Sequence, residues 1–411
     1  MKIVYIHQYF RTPDQSGGTR SYEMARRLVQ WGHEVHVVTS CTEPSERKSW
    51  FTEQIDGVNV HWLSVRYDNK MGFFSRLKAF FDFAIRSSRR AAKLQGDVVF
   101  ATSTPLTIAL PGVYASRKSN CPLVFEVRDL WPHVPIAMGV LRNSVLVAAA
   151  KLLERFAYRN STHIVALSDG MAEGVVRAGV SAAKVTVIPN SADIALFDPD
   201  SIEAGVFRKA HPELPAGPIL LYPGTLGRVN GVGYLAELAQ IVAQYRNDIA
   251  IVVIGDGVER DSIESLARSN GTLGKNFFMY SPMPKKELVY AFRDAALVVS
   301  TVIDVPALEA NSANKIFDAM AAGKAIAVNH GGWQKDLIRE YDLGLALPRD
   351  LTSAAKCIVD FFESTGRVER CGLNAREMAV ERYSRDLLAK RLEGILLAAV
   401  SEENKDDEAF F

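Results

Sequence analysis

"KIVYIHQYFRTPDQSGGTRSYEMARRLVQWGHEVHVVTS", residues 2–40, decides the fold. A short apolar run leads into a polar loop with two adjacent glycines. A segment with helical spacing follows, then a second apolar run. Strand, glycine loop, helix and strand form the basic unit of nucleotide-binding α/β domains, in which a helix start presents unpaired N–H groups and a positive dipole end. Two relatives of that unit lose their main signal. A dinucleotide-binding domain wants G-x-G-x-x-G directly after the first strand and a carboxylate ending the second. Here eight residues separate Gln8 from Gly17, and the second strand ends in Thr39-Ser40. The P-loop pattern GxxxxGK(S/T) is absent from the chain.

The alternation continues beyond the opening. Apolar runs "VNVHWLS", "DVVFATS", "PLVFEVRD", "HIVALS" and "KVTVIPN" alternate with helical segments up to residue 190. Between 191 and 218 the pattern breaks, with four of the 17 prolines. It then resumes with "ILLYPGT", "IAIVVIGDG", "NFFMYSP", "ALVVSTV" and "KAIAVNH". Continuous apolar strands separated by helices predict parallel sheets covered on both faces. The expected fold class is α/β, with two Rossmann-like doubly wound domains facing a central cleft. The expected bounds are 1–195 and 196–384, a C-terminal helix over about 385–400 returning to the first domain, and a disordered acidic tail over 401–411. Ligands in such sheets bind at the carboxyl ends of the strands.

At 411 residues the chain exceeds one ordinary core, and 48% hydrophobic with 23% charged residues is a globular composition. No apolar run is long enough to span a bilayer, and the start reads as a strand and not a secretory signal. Four scattered cysteines without a CxxC fit a reducing cytoplasm and argue against zinc; no metal and no cofactor is expected. The net charge of +1 hides an asymmetry: residues 1–190 hold 24 Lys/Arg against 15 Asp/Glu. A basic first half points to an anionic surface.

Six segments, in order, resemble glycosyltransferase family 4, retaining enzymes of the GT-B fold: "GGTRSYEMARRLVQWGHEVHVVTS", "VIPNSADIALF", "YPGTLGRVNG", "VVIGDG", "MPKKELVYAFRDAALVV" and "NKIFDAMAAGKAIAV". The stretches "HQYFRTPDQSGGTRSYEMA", "FEVRDLWPH" and "SANKIFDAMAAGK" are similar to a bacterial subgroup that builds O-antigen or capsule repeats and includes N-acetyl-L-fucosamine transferases. The resemblance implies transfer from a UDP-sugar to a polyprenyl-diphosphate-linked glycan. Alternatives are a sugar-nucleotide epimerase, a soluble-acceptor transferase or an inactive sugar-nucleotide-binding partner.

Such chemistry must stabilise a departing diphosphate, which cations and helix N-termini can do without metal. The resemblance assigns that task to Gly17, Gly18, Thr19, Asn314 and Lys315, with Arg20 adding charge. The family's Arg and Lys positions after the second domain's first strand read Thr225 and Asn230 here, so Arg228 stands as the nearby substitute. Of the family's paired glutamates the second reads Asp318, a ribose ligand; the first falls on Ala310, beside Glu309, which is assigned with Asn311 to the donor sugar. Gly255, Asp256 and Pro284 are assigned to ribose and base. In "FEVRDLWPH", Asp129 orients the acceptor or steadies a cationic sugar, Arg128 holds an acceptor phosphate or pairs with Glu126, His133 lies within reach, and Trp131 stacks on a sugar or packs in the core. The plain alternatives are a turn for the glycines and a solvated helix start for Lys315.

Segment 69–95 has a basic amphipathic pattern. The expected membrane face, on the inner side of the cell membrane, combines Phe73, Phe74, Phe83, Arg76, Lys78, Arg86, Arg89, Arg90 and Lys93. The alternative is a packed helix with a solvated basic side. Nothing in the sequence supports nucleic-acid binding.

Overall fold

A computed structural model describes residues 1–15, 17–41, 49–65 and 71–408, and all of their side chains except those of Phe73, Phe74 and residues 403–408. The first sheet contains β1 (Lys2–Ile6), β2 (Glu34–Cys41), β3 (Phe51–Ile55), β4 (Val58–Ser64), β5 (Val98–Thr102), β6 (Leu123–Val127), β7 (His163–Ala166) and β8 (Val185–Val187). Its spatial order is β3-β4-β2-β1-β5-β6-β7-β8. Only the β3–β4 edge pair is antiparallel. The second sheet contains β9 (Ile219–Pro223), β10 (Ala250–Ile254), β11 (Phe277–Tyr280), β12 (Leu297–Ser300), β13 (Ala325–Val328) and β14 (Gly344–Ala346). Its order is β11-β10-β9-β12-β13-β14, parallel throughout.

Alternation along each central strand builds a core on either face. In β1, Val4 and Ile6 enter one cluster while Ile3 and Tyr5 enter the other. In β9, Ile219 and Leu221 face one side, and Leu220 and Tyr222 the other. Period-2 side chains with apolar residues at every position require this double covering.

The segment 191–218 is no loose linker. Phe197, Phe207 and Leu214 are buried in the second domain's core. The chain crosses between domains at Ala192 and returns at Ser384, where the two crossings pair as a short parallel bridge. Ala192 N donates to the Tyr383 carbonyl at 2.7 Å, and Arg385 N donates to the Ala192 carbonyl at 3.2 Å. The last helix, Arg385–Glu408, lies on the first domain, with Leu388, Leu392 and Leu396 in its core. That helix takes in most of 401–411, which corrects the expectation of disorder: a formed helix extends at one hydrogen bond per residue, whatever the acidic composition.

Buried charge ties these parts together. Arg20, the first residue of helix Arg20–Gln30, points inward and not toward a ligand. Its Nε and Nη2 reach Glu126 Oε1 at 3.0 and 2.8 Å, and its Nη groups donate to the carbonyls of Ile188 and Pro189. Thr102 Oγ1 donates to the other carboxylate oxygen at 2.6 Å. Burial would raise the Glu126 pKa, but Arg20 and Arg128 hold it below the usual range. Arg20→Met is expected to lower stability by about 3–5 kcal/mol by stranding a buried carboxylate. Adding Glu126→Leu is expected to restore most of that loss, read by urea denaturation.

Candidate active site between the two domains

The carboxyl ends of both sheets meet across the cleft. A cavity of about 310 Å³ there is lined from both domains, by Leu130 and His133 on one side and Glu309, Ala310, Gly332 and Trp333 on the other. Small polar contacts join the walls. Ser168 Oγ donates to the Ala310 carbonyl at 2.6 Å, Asn190 Nδ2 donates to the Ser312 carbonyl, and exposed Lys286 and Asp14 pair at 2.7 Å.

The glycine loop faces the second domain. Gly17 has φ +123°, a conformation strained for a side chain, and a methyl on Gly18 would lie 2.8 Å from Asn314 Nδ2. The loop and the start of helix Asn314–Ala321 therefore meet across the cleft from opposite domains. Thr19 does not join them. Its buried hydroxyl accepts from Arg385 Nη1 at 3.3 Å, which removes it and Arg20 from the expected diphosphate contacts.

Lys315 carries the site's main electrostatic feature. Its ammonium lies 3.6 Å from the centroid of the Tyr222 ring and close to Gly224, at the end of β9. No described carboxylate or carbonyl pairs with it, and desolvation pushes its pKa down to about 7. Arg228, exposed in the short turn Arg228–Asn230, also has no described carboxylate partner.

Asp129 follows β6 and opens to solvent; desolvation by the surrounding protein raises its carboxyl, while Arg128 and the Thr104 hydroxyl at 3.2 Å pull it back. Thr104 has φ +85°, a strained angle for a β-branched residue and one that presents its hydroxyl to Asp129. His133 is exposed at the start of helix His133–Ala137 and lines the cavity. Trp131 packs against the first-domain core, the plain alternative. Arg128 does not pair with Glu126, which Arg20 occupies.

Other expected contacts have structural employment. Asp318 is buried and held by Lys285 Nζ at 2.8 Å, so its carboxylate is turned to a cation and not to open solvent; burial raises its pKa and Lys285 lowers it. Gly255 is buried, and a methyl there would lie 1.8 Å from the Gly224 carbonyl oxygen: backbone packing between two loops requires this glycine. Asp256 is exposed beside it, and Pro284 precedes the helix Lys285–Asp294. Asn311 spends its amide on the Leu308 carbonyl at 2.7 Å. Glu309 lies against Gly331 and Gly332.

Sequence reasoning missed His330 and Gln334. Both are buried, and His330 Nε2 and Gln334 Oε1 have no described hydrogen-bond partner. Such orphaned groups suit sugar hydroxyls. Position was the available signal, since "VNHGGWQ" follows a strand at its carboxyl end. Among the described residues no group of three or more His, Cys, Asp or Glu could hold a metal ion.

A glycosyl transferase 4-like domain matches residues 17–191, and a glycosyl transferases group 1 domain matches residues 206–378. The chain belongs to the family 4-like, group 1 glycosyltransferases. This glycosyltransferase is 24% identical over 328 residues to WcaI of Escherichia coli, described as a colanic acid biosynthesis glycosyl transferase, covering 73% of this chain and 76% of that one. It is 25% identical over 360 residues to a GDP-mannose-dependent alpha-mannosyltransferase of Mycolicibacterium smegmatis, covering 85% of each. Among solved structures, sucrose-phosphate synthase of Thermosynechococcus elongatus superposes with TM-score 0.78 at 17% identity, covering 98% and 99%. HepE of Anabaena, solved with UDP-glucose, gives 0.71 at 18%, covering 97% and 100%. These likenesses establish the GT-B fold.

The lowered Lys315 pKa sets a pH dependence for the glycosyltransferase. An ammonium titrating near 7 is progressively neutral above that pH, and a bound diphosphate favours its charged form. Binding of a nucleoside diphosphate at this lysine between pH 7 and 9 is therefore expected to take up a proton and to weaken as pH rises. Calorimetry in buffers of different ionisation enthalpy measures the uptake, and Lys315→Met is expected to abolish it.

Proposed function

We propose that this protein is a retaining glycosyltransferase that moves a sugar from a UDP-linked donor to a polyprenyl-diphosphate-linked glycan during O-antigen or capsule assembly. One observation carries the reading: the unpaired Lys315 ammonium stands at the start of the helix whose first residue, Asn314, meets the Gly17–Gly18 loop. A departing nucleoside diphosphate supplies the charge this wall lacks. Lys315, Arg228 and the amides of the helix start take up the negative charge as the bond from sugar C1 to the phosphate oxygen breaks. The acceptor oxygen attacks the same face, and its proton passes to the leaving phosphate, so no metal and no protein nucleophile is required. Asp129 steadies the cationic sugar, and Glu309, His330 and Gln334 offer polar groups to its hydroxyls. HepE with UDP-glucose supports a uridine donor, and the mannosyltransferase relative supports testing guanosine beside it. N-acetyl-L-fucosamine is the first donor sugar to try.

UDP at 100 times its Kd is expected to stabilise the protein by about 2.7 kcal/mol. If neither UDP, GDP nor ADP raises the melting temperature, the donor site is misassigned.

We further infer peripheral docking on an anionic membrane through the helix layer of the first domain. No described helix is long and apolar enough to cross a bilayer. The docking surface differs from the one the sequence suggested. Phe83 is 0% exposed and belongs to the core; Arg90 turns inward to Thr52 Oγ1 at 3.0 Å and His61 Nδ1 at 2.8 Å. Phe73 and Phe74 lie outside the described side chains. The exposed face instead shows Ile85 at 64%, Val145 at 73% and Leu152 at 64%, from helices Phe73–Lys93 and Ser144–Arg159. Lys78, Arg89 and Lys93 are exposed, and Arg76 and Arg86 are half-buried. Ile85→Glu with Val145→Glu is expected to abolish co-sedimentation with anionic liposomes at unchanged melting temperature. Phe83→Ala is expected to do the reverse, costing about 3–5 kcal/mol of stability while the folded protein still binds.

A further inference from the structure

Arg128, just past the end of β6, is not paired with a described carboxylate as Arg20 and Arg385 are. Arg20 is held by Glu126, and Arg385 stands 3.5 and 3.6 Å from Glu23 and Asp193. Arg128 has no carboxylate partner of this kind. Its backbone N donates to Ser103 Oγ at 2.8 Å, and its Nη1 stands 3.3 Å from His7 Nε2. A guanidinium only donates, so His7 Nε2 is the acceptor of that contact. The ring proton then belongs on Nδ1. His7 is kept neutral by burial, and Arg128 and Arg11 lower its pKa further. Yet Nδ1 is buried with no described partner, and His7 as a whole is 4% exposed. A buried N–H without an acceptor costs about 1–3 kcal/mol. The Arg128 guanidinium against the ring and the positive charge of Arg11 nearby in the chain set the sign of what would satisfy it: an anionic oxygen.

The place of this cluster is equally specific. The Arg11 Cγ lies 3.7 Å from where a methyl on Gly17 would stand, so the cluster adjoins the glycine loop from the first-domain side. Arg128 is the chain neighbour of Asp129. Lys315 and Asn314 belong to the opposite wall.

We propose that His7, Arg11 and Arg128 form a second diphosphate subsite, separate from the donor's, that holds the diphosphate of the lipid-linked acceptor. The proposal rests on the transferase reading above. It also places the reaction. An anion held on the first-domain wall beside Asp129 reads as the charge of the acceptor and not of the donor, so the acceptor is a lipid diphosphate bearing a glycan. The step before must be a transfer that builds such a sugar diphosphate on the lipid.

Decyl diphosphate added to the full-length protein saturated with UDP tests this. Wild type is expected to bind it, and Arg128→Gln to bind it at least tenfold more weakly with unchanged UDP affinity. Unchanged UDP affinity also shows that the variant folds; should it not fold, Arg11→Gln is expected to weaken decyl diphosphate at least threefold. Decyl maltoside, which has the tail without the charge, is expected not to compete. Failure of wild type to bind decyl diphosphate, its displacement by UDP, competition by decyl maltoside, or equal affinity in wild type and both variants overturns the subsite. A failure of the transferase reading looks different: no nucleoside diphosphate would bind, whatever the behaviour of decyl diphosphate.

Discussion

The Arg20–Glu126 pair is the constraint from which the site's geometry follows. Its guanidinium begins the helix behind the glycine loop, and its carboxylate lies in β6, one residue before the strand ends and delivers Arg128 and Asp129. The carbonyls of Ile188 and Pro189 that complete its shell belong to the chain on its way into the second domain. One buried ion pair thus sets three elements that must agree for a two-walled cleft to work. A desolvated ion pair is poor value as a stabiliser but demanding in geometry, because any slip leaves a charge without a partner.

The allocation of cations then separates scaffold from site. Arg20, Arg385 and Lys285 sit where carboxylates already answer them. Lys315, at the carboxyl end of β9, has no such partner, and it is desolvated enough to lose its proton near neutrality. Folding alone gives no return for keeping an ammonium in that position. A ligand with opposite charge does, which is why this wall reads as a phosphate site more firmly than any single motif does.

The parallel strands were legible because burial on both faces leaves their sequences apolar without interruption. Strand β3, "FTEQI", was not, since it is an edge strand with three exposed polar positions, and β14 is only three residues long. The helix over Phe73–Lys93 was readable as amphipathic, but not which side would be covered. Periodicity defines two arcs, and the neighbouring helix Ala109–Ser119 and the sheet choose between them; they bury Ala79, Phe83, Ser87 and Ala91. Partnership was the least visible level. Nothing local to Arg20 indicates a carboxylate 106 residues away, so a structural cation beside a glycine loop looked like a ligand-binding one. The same blindness applied to Thr19 and Asp318. Gly255 shows the opposite ambiguity, where a motif glycine answers to a neighbouring loop's carbonyl.

The paired crossings at Ala192 and Ser384 have a mechanical consequence. Both peptide connections traverse the gap at one point and are stitched to each other there. The halves can accordingly swivel about a single pivot through torsions of a few residues, leaving both sheets and their cores intact. What resists the swivel is the part-buried Ser168–Ala310 and Asn190–Ser312 hydrogen bonds, the packing of Ala310 against the first-domain core, and the exposed Lys286–Asp14 pair, which is the weakest of them. Substrate entry and product escape then require backbone rotation at that pivot together with release of those cross-domain contacts, while the cohesion of either core is left untouched.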